Sequence, residues 1–559
     1  MLNRRSQRGM VEWYRPRQLI KTGAEVIVST LFARHADSRL GQSAKSPKPD
    51  ADYRAEYEGT DFWIDYAADV GDGWNPTYAV ASCLSSDLTP NGTFLPRGQV
   101  LVLGGDLVYP TPRLSEYHAR LLNPYSAACG AGPKGDLFAL PGNHDWYDSL
   151  VAFTRLFCYS TAFAGWDLPQ THAYFTIRLP NAWWLIGLDT QLVHDIDPRQ
   201  FEYFRSLADE IPSYGKIILC TSEPFWLRVH PSDEGAGETL LTTLVEDLFG
   251  ERVRLFLAGD IHHYRRHSHR DGQRHKITCG LGGAFLHPTH VAPQLPQDDL
   301  YSETAHYPNR TLSWWLTLRN LMFPILNKSF GIVTGIAYLL VAWANGVHVG
   351  EQFGSGPYAG QVSIDEIGRL GFSELDKAVL AALHSAILSP VGSLFYLITF
   401  LGFWFFTDRT SPVFRAVGGF LHASSHIIVG FFVYWAATFV SITVLGFEPK
   451  SIPQYLIAGG ILFAGGWLAG SVLLGLYLTI SLNLFGRHAN EAFSSLKVQD
   501  YKGFIRIHID RDGHLKAYVI GMDKVPRRWK QNDGSVGPLW KPADGGALQP
   551  KIVDSFCIQ

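Results

Sequence analysis

Residues 138–148 read FALPGNHDWYD: an apolar run of strand length that stops at Pro141-Gly142, then an amide, an imidazole and a carboxylate on consecutive positions. A short apolar run closed by Pro-Gly predicts a buried strand and its turn. Polar groups at a strand end are held in place by the sheet behind them, which suits catalytic side chains. The pattern recurs along the chain. FWIDYAADVG ends in Asp69-Val70-Gly71, QVLVLGGDLVY in Gly105-Asp106-Leu107-Val108-Tyr109, and RVRLFLAGDIHHY in Gly259-Asp260-Ile261-His262-His263-Tyr264. Together with AWWLIGLDT, KIILCTSEP and KITCGLGG, these runs alternate with longer helical stretches between about 60 and 290, which predicts an α/β or layered domain.

Carboxylates, an amide, a phenol and imidazoles suit a divalent or trivalent cation better than a structural zinc, which draws on thiolates. Two cations about 3.5–4 Å apart can share one carboxylate, and Asp106, in the middle of the series, is the candidate bridge.

Gly105-Asp-x-x-Tyr109 followed by Gly142-Asn-His-Asp145 resembles the calcineurin-like metallophosphoesterase superfamily, most of all its purple-acid-phosphatase branch. Asp69-Val70-Gly71 replaces the usual Asp-x-His and fits that branch, with Tyr109 standing where the absent histidine would bind. The resemblance covers roughly 60–290. It implies a layered sandwich of two β-sheets flanked by helices, and metal-dependent hydrolysis of a phosphate mono- or diester. Carried over, one ion takes Asp69, Tyr109, His262 and the bridging Asp106, and the other takes Asp106 and Asn143. His144 matches the catalytic imidazole that stabilises or protonates the leaving oxygen, and Asp145 is expected to orient it. Two departures fall on the second ion. Ser222, in Cys220-Thr-Ser-Glu-Pro224, stands where the family has a histidine, and Asp260 replaces the first histidine of Gly-His-x-His. That ion is left with Asp106, Asn143, Asp260, and Ser222 or Glu223. Such an oxygen-rich site favours manganese, iron or magnesium, with zinc as the alternative. The same departures support a second reading, a catalytically degenerate membrane sensor or scaffold.

No Asp, Glu, Lys or Arg occurs in 329–350, 379–407, 416–447 or 451–486, each window long enough for a membrane span. An all-α bundle of four transmembrane helices is expected over 310–486, with spans near 329–350, 384–407, 416–440 and 455–482. It is flanked by a basic, amphipathic segment (1–55), the metallophosphoesterase-like domain (56–306) and a C-terminal segment (487–559). Arg310, Arg319 and Lys328, Asp408–Arg415, and Arg487 onward mark the basic side, whereas the loop 350–378 is acidic. The positive-inside rule then places the catalytic domain and the C-terminus in the cytoplasm. The substrate expected there is a phosphorylated small molecule or a lipid headgroup at the bilayer. A formal charge of -3, with 18% charged residues, argues against a nucleic-acid partner. The N-terminal arginines adjoin no apolar core with a cleavage site, so no signal peptide is expected. Six scattered cysteines, none at CxxC spacing, read as reduced thiols.

Smaller features complete the reading. FIRIHI-DRDG-HLKAYVI (504–520) predicts a hairpin, which would dock on the catalytic domain because a lone hairpin is marginal in water. Residues 16–34 have helical spacing and fit either a membrane surface or a domain surface. Asp72 is expected to stabilise a turn, Arg265–Arg270 to form a solvated loop or an anion site, and His287 and His290 to lie near the site. His422 and His426 should join helices by hydrogen bonds, and Gly466 and Gly470 should let helices pack closely, within the bundle or in a homo-oligomer.

Overall fold

Each of the seven apolar runs folds as a strand, three of them buried along their whole length and the other four at all but one residue, which is why they read as continuous rather than alternating. The computed structural model describes residues 7–32, 45–130, 135–190, 195–227, 239–291, 300–346, 364–407, 411–532 and 537–559. These form two units. One takes in the described residues up to Val11, Lys21–Ser313 and Lys497–Gln559; the other takes in Glu12–Ile20 and Trp314–Leu496.

The first unit is mixed α/β and is built on two eight-stranded sheets. In order across the first sheet lie β1 (Ala51–Asp52), β7 (Phe175–Arg178), β8 (Trp183–Leu188), β9 (Lys216–Thr221), β10 (Val253–Ala258), β12 (His275–Cys279), β11 (Tyr264–His269) and β13 (Tyr301–Tyr307). Across the second lie β18 (Lys551–Ile558), β15 (Leu515–Met522), β14 (Lys502–Ile509), β2 (Phe62–Ala67), β3 (Val100–Gly104), β4 (Asp136–Leu140), β6 (Trp166–Asp167) and β5 (Ala162–Phe163). A small ribbon joins β16 (Trp529–Gln531) to β17 (Trp540–Pro542). The strands β2, β3 and β4 run parallel, as do β8, β9, β10 and β12, so both sheets present a row of carboxyl ends. Phe138 of one sheet meets Phe175 of the other at 5.0 Å between ring centres.

The C-terminal hairpin is an integral part of the second sheet. Its strand β14 pairs antiparallel with β2, Ile507 opposite Ile64. Arg506, wholly buried, forks onto Asp65 of β2 at 2.7 and 2.9 Å and also donates to the carbonyl of Leu95. Residues 45–55, expected in a separate N-terminal segment, supply β1 to the first sheet, while 487–496 belong with the helices rather than with the hairpin.

Among its described residues the second unit has two helices long and apolar enough to cross a membrane, Pro412–Val444 and Ile452–Phe485. They correspond to the expected spans 416–440 and 455–482. The other two expected spans differ. Phe330–Asn345 follows Arg310–Leu326 at a bend of 66°, and Pro390–Phe406 follows Phe372–Ile387 at a bend of 93°. If each bent pair is one span, the total is four. The expected span 384–407 is split at Ser389, because Pro390 has no N–H to continue a helix and the Ser389 hydroxyl caps Gly392 N at 3.0 Å. Residues 347–350 of the first expected span lie outside the described residues. Within this unit a Cβ on Gly466 would stand 2.7 Å from Tyr338 Cβ, and one on Gly470 2.6 Å from Thr334 Cβ, so these glycines permit close helix packing. His426 Nδ1 meets Tyr338 OH at 3.2 Å, whereas both ring nitrogens of His422 are buried without a partner among the described residues.

Candidate metal centre

The loops leaving β2 and β3 stay paired beyond the strands. Asp69 N donates to Gly105 O at 3.0 Å, Val70 N to Asp106 O at 3.1 Å, and Tyr109 N to Gly71 O at 3.0 Å. This ladder turns the side chains of Asp69, Asp106 and Tyr109 towards one another. Asp69, Asp106 and Asp260, each just past a strand end, all have left-handed backbones, with φ of 58°, 48° and 68°. Short polar residues tolerate that region best, and strain of about 1–3 kcal/mol at each such residue is characteristic of functional sites. Two glycines permit the close approach. A Cβ on Gly142 would lie 2.1 Å from Asp106 Oδ1, and one on Gly280 2.3 Å from Asp69 Oδ2.

At the centre stands the Tyr109 hydroxyl, 3.1 Å from Asp69 Oδ1, 3.1 Å from Asp106 Oδ2 and 3.0 Å from His262 Nε2. His262 Nδ1 lies 2.7 Å from Phe285 O, which assigns the ring proton to Nδ1 and leaves Nε2 as a lone pair. The phenol is therefore within hydrogen-bond reach of both carboxyl groups and of the imidazole lone pair. Ligand atoms of Asp69, Asp106 and His262 all lie within 4.8 Å of one another, a span that two metal–ligand bonds of about 2.1–2.4 Å can bridge. Burial pushes the Asp69 carboxyl up to about 7. Burial, then the charges of Asp69, Asp145 and Asp260, pushes Asp106 well above the carboxylate range. The same desolvation holds His262 down to about 3. Two buried carboxylates, an imidazole lone pair and a phenol form a donor set short of positive charge, and it fits a hard or borderline cation.

Of the other expected ligands, the carboxylates of Asp260 and Glu223 are not among the clustered atoms. Asn143 is exposed, although its neighbours touch Asp106: His144 N donates to Asp106 Oδ1 at 2.9 Å. Asp260 N donates to both oxygens of Asp69, at 3.2 and 3.0 Å, while its carboxylate falls outside the clustered ligand atoms. Ser222 and Glu223 are buried after β9; Ser222 packs on Gly105, and Glu223 is likewise outside the cluster.

Asp145 does not orient His144. Its Oδ2 accepts from Gly142 N at 2.8 Å and Leu107 N at 3.0 Å, and its Oδ1 accepts from Tyr117 OH, so it clamps the loops after β3 and β4 together. The His144 imidazole is instead held by Pro110 O, 2.9 Å from Nδ1, and its ring lies 4.4 Å from that of Tyr109 and 5.2 Å from that of Tyr147. Burial lowers the His144 imidazole to about 4.

Asp72, as expected, is a turn anchor: its two oxygens accept from Val11 N at 2.8 Å and Phe285 N at 3.2 Å. The basic run is strand β11 rather than a solvated loop, with Arg265 bonded to Thr289 O and Arg266 forked onto Asp554. His290 bonds Ser313 Oγ. His287 belongs to the site, its ring stacked on His262 at 4.1 Å and its Nδ1 accepting from His262 N. Asp510, Asp512 and His514 also cluster, at the hairpin turn, where Asp510 Oδ1 accepts the backbone N–H groups of the other two.

Sequence reasoning missed Lys502. It is wholly buried at the start of β14, its Nζ has no hydrogen-bond partner among the described residues, and burial lowers the amine to about 7 against the opposing charges of Asp500, Asp72 and Asp69. Nothing local distinguishes it from an exposed lysine at a strand end.

No family model matches the chain, and no curated protein matches it. Among solved structures it is similar to one titled "GAP50 the anchor in the inner membrane complex of Plasmodium", at 14% identity and a TM-score of 0.32, over 44% of this chain and 78% of that one. A likeness of that size carries no argument about fold or function.

Proposed function

We propose that the chain is a membrane-bound, metal-dependent phosphoesterase. In this reading its α/β unit is a calcineurin-like layered sandwich and its helices cross the bilayer four times, with the catalytic unit and the C-terminus in the cytoplasm. The substrate is a phosphate mono- or diester, of a small molecule or a lipid headgroup. One observation carries the reading: a phenol, two buried carboxyl groups and an imidazole lone pair converge at strand ends whose motifs resemble that superfamily. The residues that would hold the first cation are Asp69, Asp106, Tyr109 and His262. For a second, Asp106, Asn143, Asp260 and Glu223 supply oxygen ligands, which suit manganese, iron or magnesium better than zinc. Bound cations supply Lewis-acid polarisation of a phosphoryl group and acidify a water.

The chain's own residues do the rest. Asp145 holds the loops that carry Asp106 and His144 in register. Pro110 O fixes Nδ1–H of His144, so Nε2 is the ring atom left for proton transfer. Buried and neutral in the free protein, the imidazole takes up a proton when a phosphate anion arrives, since a nearby opposite charge favours the charged form. It then donates that proton to the leaving oxygen.

A second reading, a ligand-sensing domain without turnover, draws on the positions of Asp260 and Glu223 outside the cluster. The test is hydrolysis of aryl phosphate mono- and diesters by the detergent-purified chain with each metal, beside Asp106→Asn. Turnover that falls by orders of magnitude in the variant is expected; an unchanged rate refutes the two-metal mechanism, and no turnover in the parent with any metal favours the sensor.

A further inference from the structure

A cavity of about 360 Å³ is walled by Thr111–Leu114 and by Tyr147, Val151 and Arg155, residues of the segments that follow Tyr109 and His144 in the chain. Two links tie its wall to the site. Pro110, whose carbonyl holds His144, leads directly into the wall at Thr111, and Tyr147 of the opposite wall meets the His144 ring edge-on at 5.2 Å. The imidazole therefore stands between Tyr109 of the acidic cluster, at 4.4 Å, and the cavity.

The walls have a definite chemistry. Pro112, Leu114, Val151 and Ala152 make one part apolar, and Tyr147 adds a ring face. Arg113 and Arg155, both exposed, bring two guanidinium groups to the rim, and Lys21 reaches the wall through Nζ to Thr111 Oγ1 at 3.1 Å. Against three cations the wall has one acid, Asp148. Planar guanidinium pairs suit phosphate oxygens, and the volume is within the range of small-molecule sites, about 300–1,000 Å³.

Building on the phosphoesterase reading, we infer that this cavity receives the departing half of a phosphoanhydride substrate, a half that carries its own phosphate beside an apolar or ring body. Water oxygen bonds to the terminal phosphorus. The bridging P–O bond breaks with its electron pair on the departing half, which takes a proton from His144 and leaves as a phosphate monoester; the water's proton replaces the one His144 gave. Nucleoside diphosphates and isoprenoid diphosphates share this chemistry, the first with a ring body and the second with an apolar chain.

The test uses the full-length chain in detergent with manganese and compares kcat/KM for ADP, for farnesyl diphosphate and for 4-nitrophenyl phosphate, whose leaving group has no phosphate of its own. In Arg113→Gln/Arg155→Gln the ratio of diphosphate to 4-nitrophenyl phosphate is expected to fall tenfold or more. Whether ADP or farnesyl diphosphate shows the larger parental ratio identifies a soluble or a lipid source. An unchanged ratio for both, with 4-nitrophenyl phosphate still hydrolysed, overturns the inference and leaves the phosphoesterase reading standing. Calorimetric binding of both diphosphates to Asp106→Asn separates the remaining cases. Binding that weakens tenfold when both arginines are replaced supports the cavity assignment even if the parent hydrolyses nothing, and absence of binding by either ligand overturns it.

Discussion

Replacing Arg506 by Met tests whether the α/β unit is held together across the whole length of the chain. Both members of the Arg506–Asp65 pair are 0% exposed, and Asp65 lies on β2 four residues before Asp69. The substitution removes two charge-assisted bonds to Asp65 and a donor to the carbonyl of Leu95. Loss of one partner of a buried pair costs about 3–5 kcal/mol. An independent route gives the same size: the cheapest escape is to bury the carboxyl neutral, and neutralising an ordinary carboxylate at pH 7 costs about 4 kcal/mol, at about 1.4 kcal/mol per pH unit. Hydrogen exchange of the β2 amides reads this locally, free of the helical unit. At pH 7 their exchange should quicken about a thousandfold, since each tenfold is about 1.4 kcal/mol. At pH 5, after correction for the intrinsic rate, the penalty should shrink to about 1.5 kcal/mol, or about tenfold. The sign follows from protonation, because an acid that must be neutral in the fold costs less as the pH approaches its unfolded value. Asp65→Leu/Arg506→Met should restore most of the protection, because an apolar pair of similar volume leaves no uncompensated charge. A loss under tenfold at pH 7, or an equal loss at both pH values, refutes the reasoning.

Two further outcomes bear on the centre. With Asp69 pushed up to about 7 and Asp106 higher, a cation must displace protons at neutral pH. Manganese affinity should therefore rise from pH 5 to 8, with proton release visible as buffer-dependent heats in calorimetry; buffer-independent heats contradict the donor assignment. In Gly280→Ala the new methyl would stand 2.3 Å from Asp69 Oδ2 and 2.7 Å from Ile261 O. Manganese binding should weaken at least tenfold and the α/β unit should lose about 1–3 kcal/mol, and unchanged binding removes Asp69 from the ligand set.

The strands were legible because parallel strands buried on both faces leave continuous apolar runs, and the site positions because polar residues close those runs. The geometry within the site was not. Asp145 adjoins His144 in sequence, yet one helical turn carries its side chain down to Leu107 N while His144 faces Pro110. His287 and Lys502 reach the centre from far along the chain, and a single sequence has no local signal for such contacts. The hairpin's existence followed from its alternation and its Asp-Gly turn; its partner did not, since register with β2 is set by tertiary packing. Charge-free windows did not reveal the bend in the window 379–407, because they count charges and take no account of Pro390, where one helix ends and another starts.

The hairpin's placement has a consequence for how the centre forms. The helical unit, Trp314–Leu496, lies in sequence between β13 and β14, and β14 is the neighbour of β2. Until residues 502–509 exist, β2 has an unpaired edge, Asp65 has no counter-ion, and the pocket beside Asp69 lacks Lys502. Exposed strand edges pair indiscriminately, and an uncompensated buried charge costs about 3–5 kcal/mol. A fragment that stops at Ser313 contains Asp69, Asp106, Tyr109, Asn143, His144 and His262, the residues proposed to hold the first cation among them, but it lacks the strand that covers β2, from whose end Asp69 projects. The cluster around Asp69 is thus completed only after the helical segment has been synthesised, because the strand that covers β2 follows it in the chain.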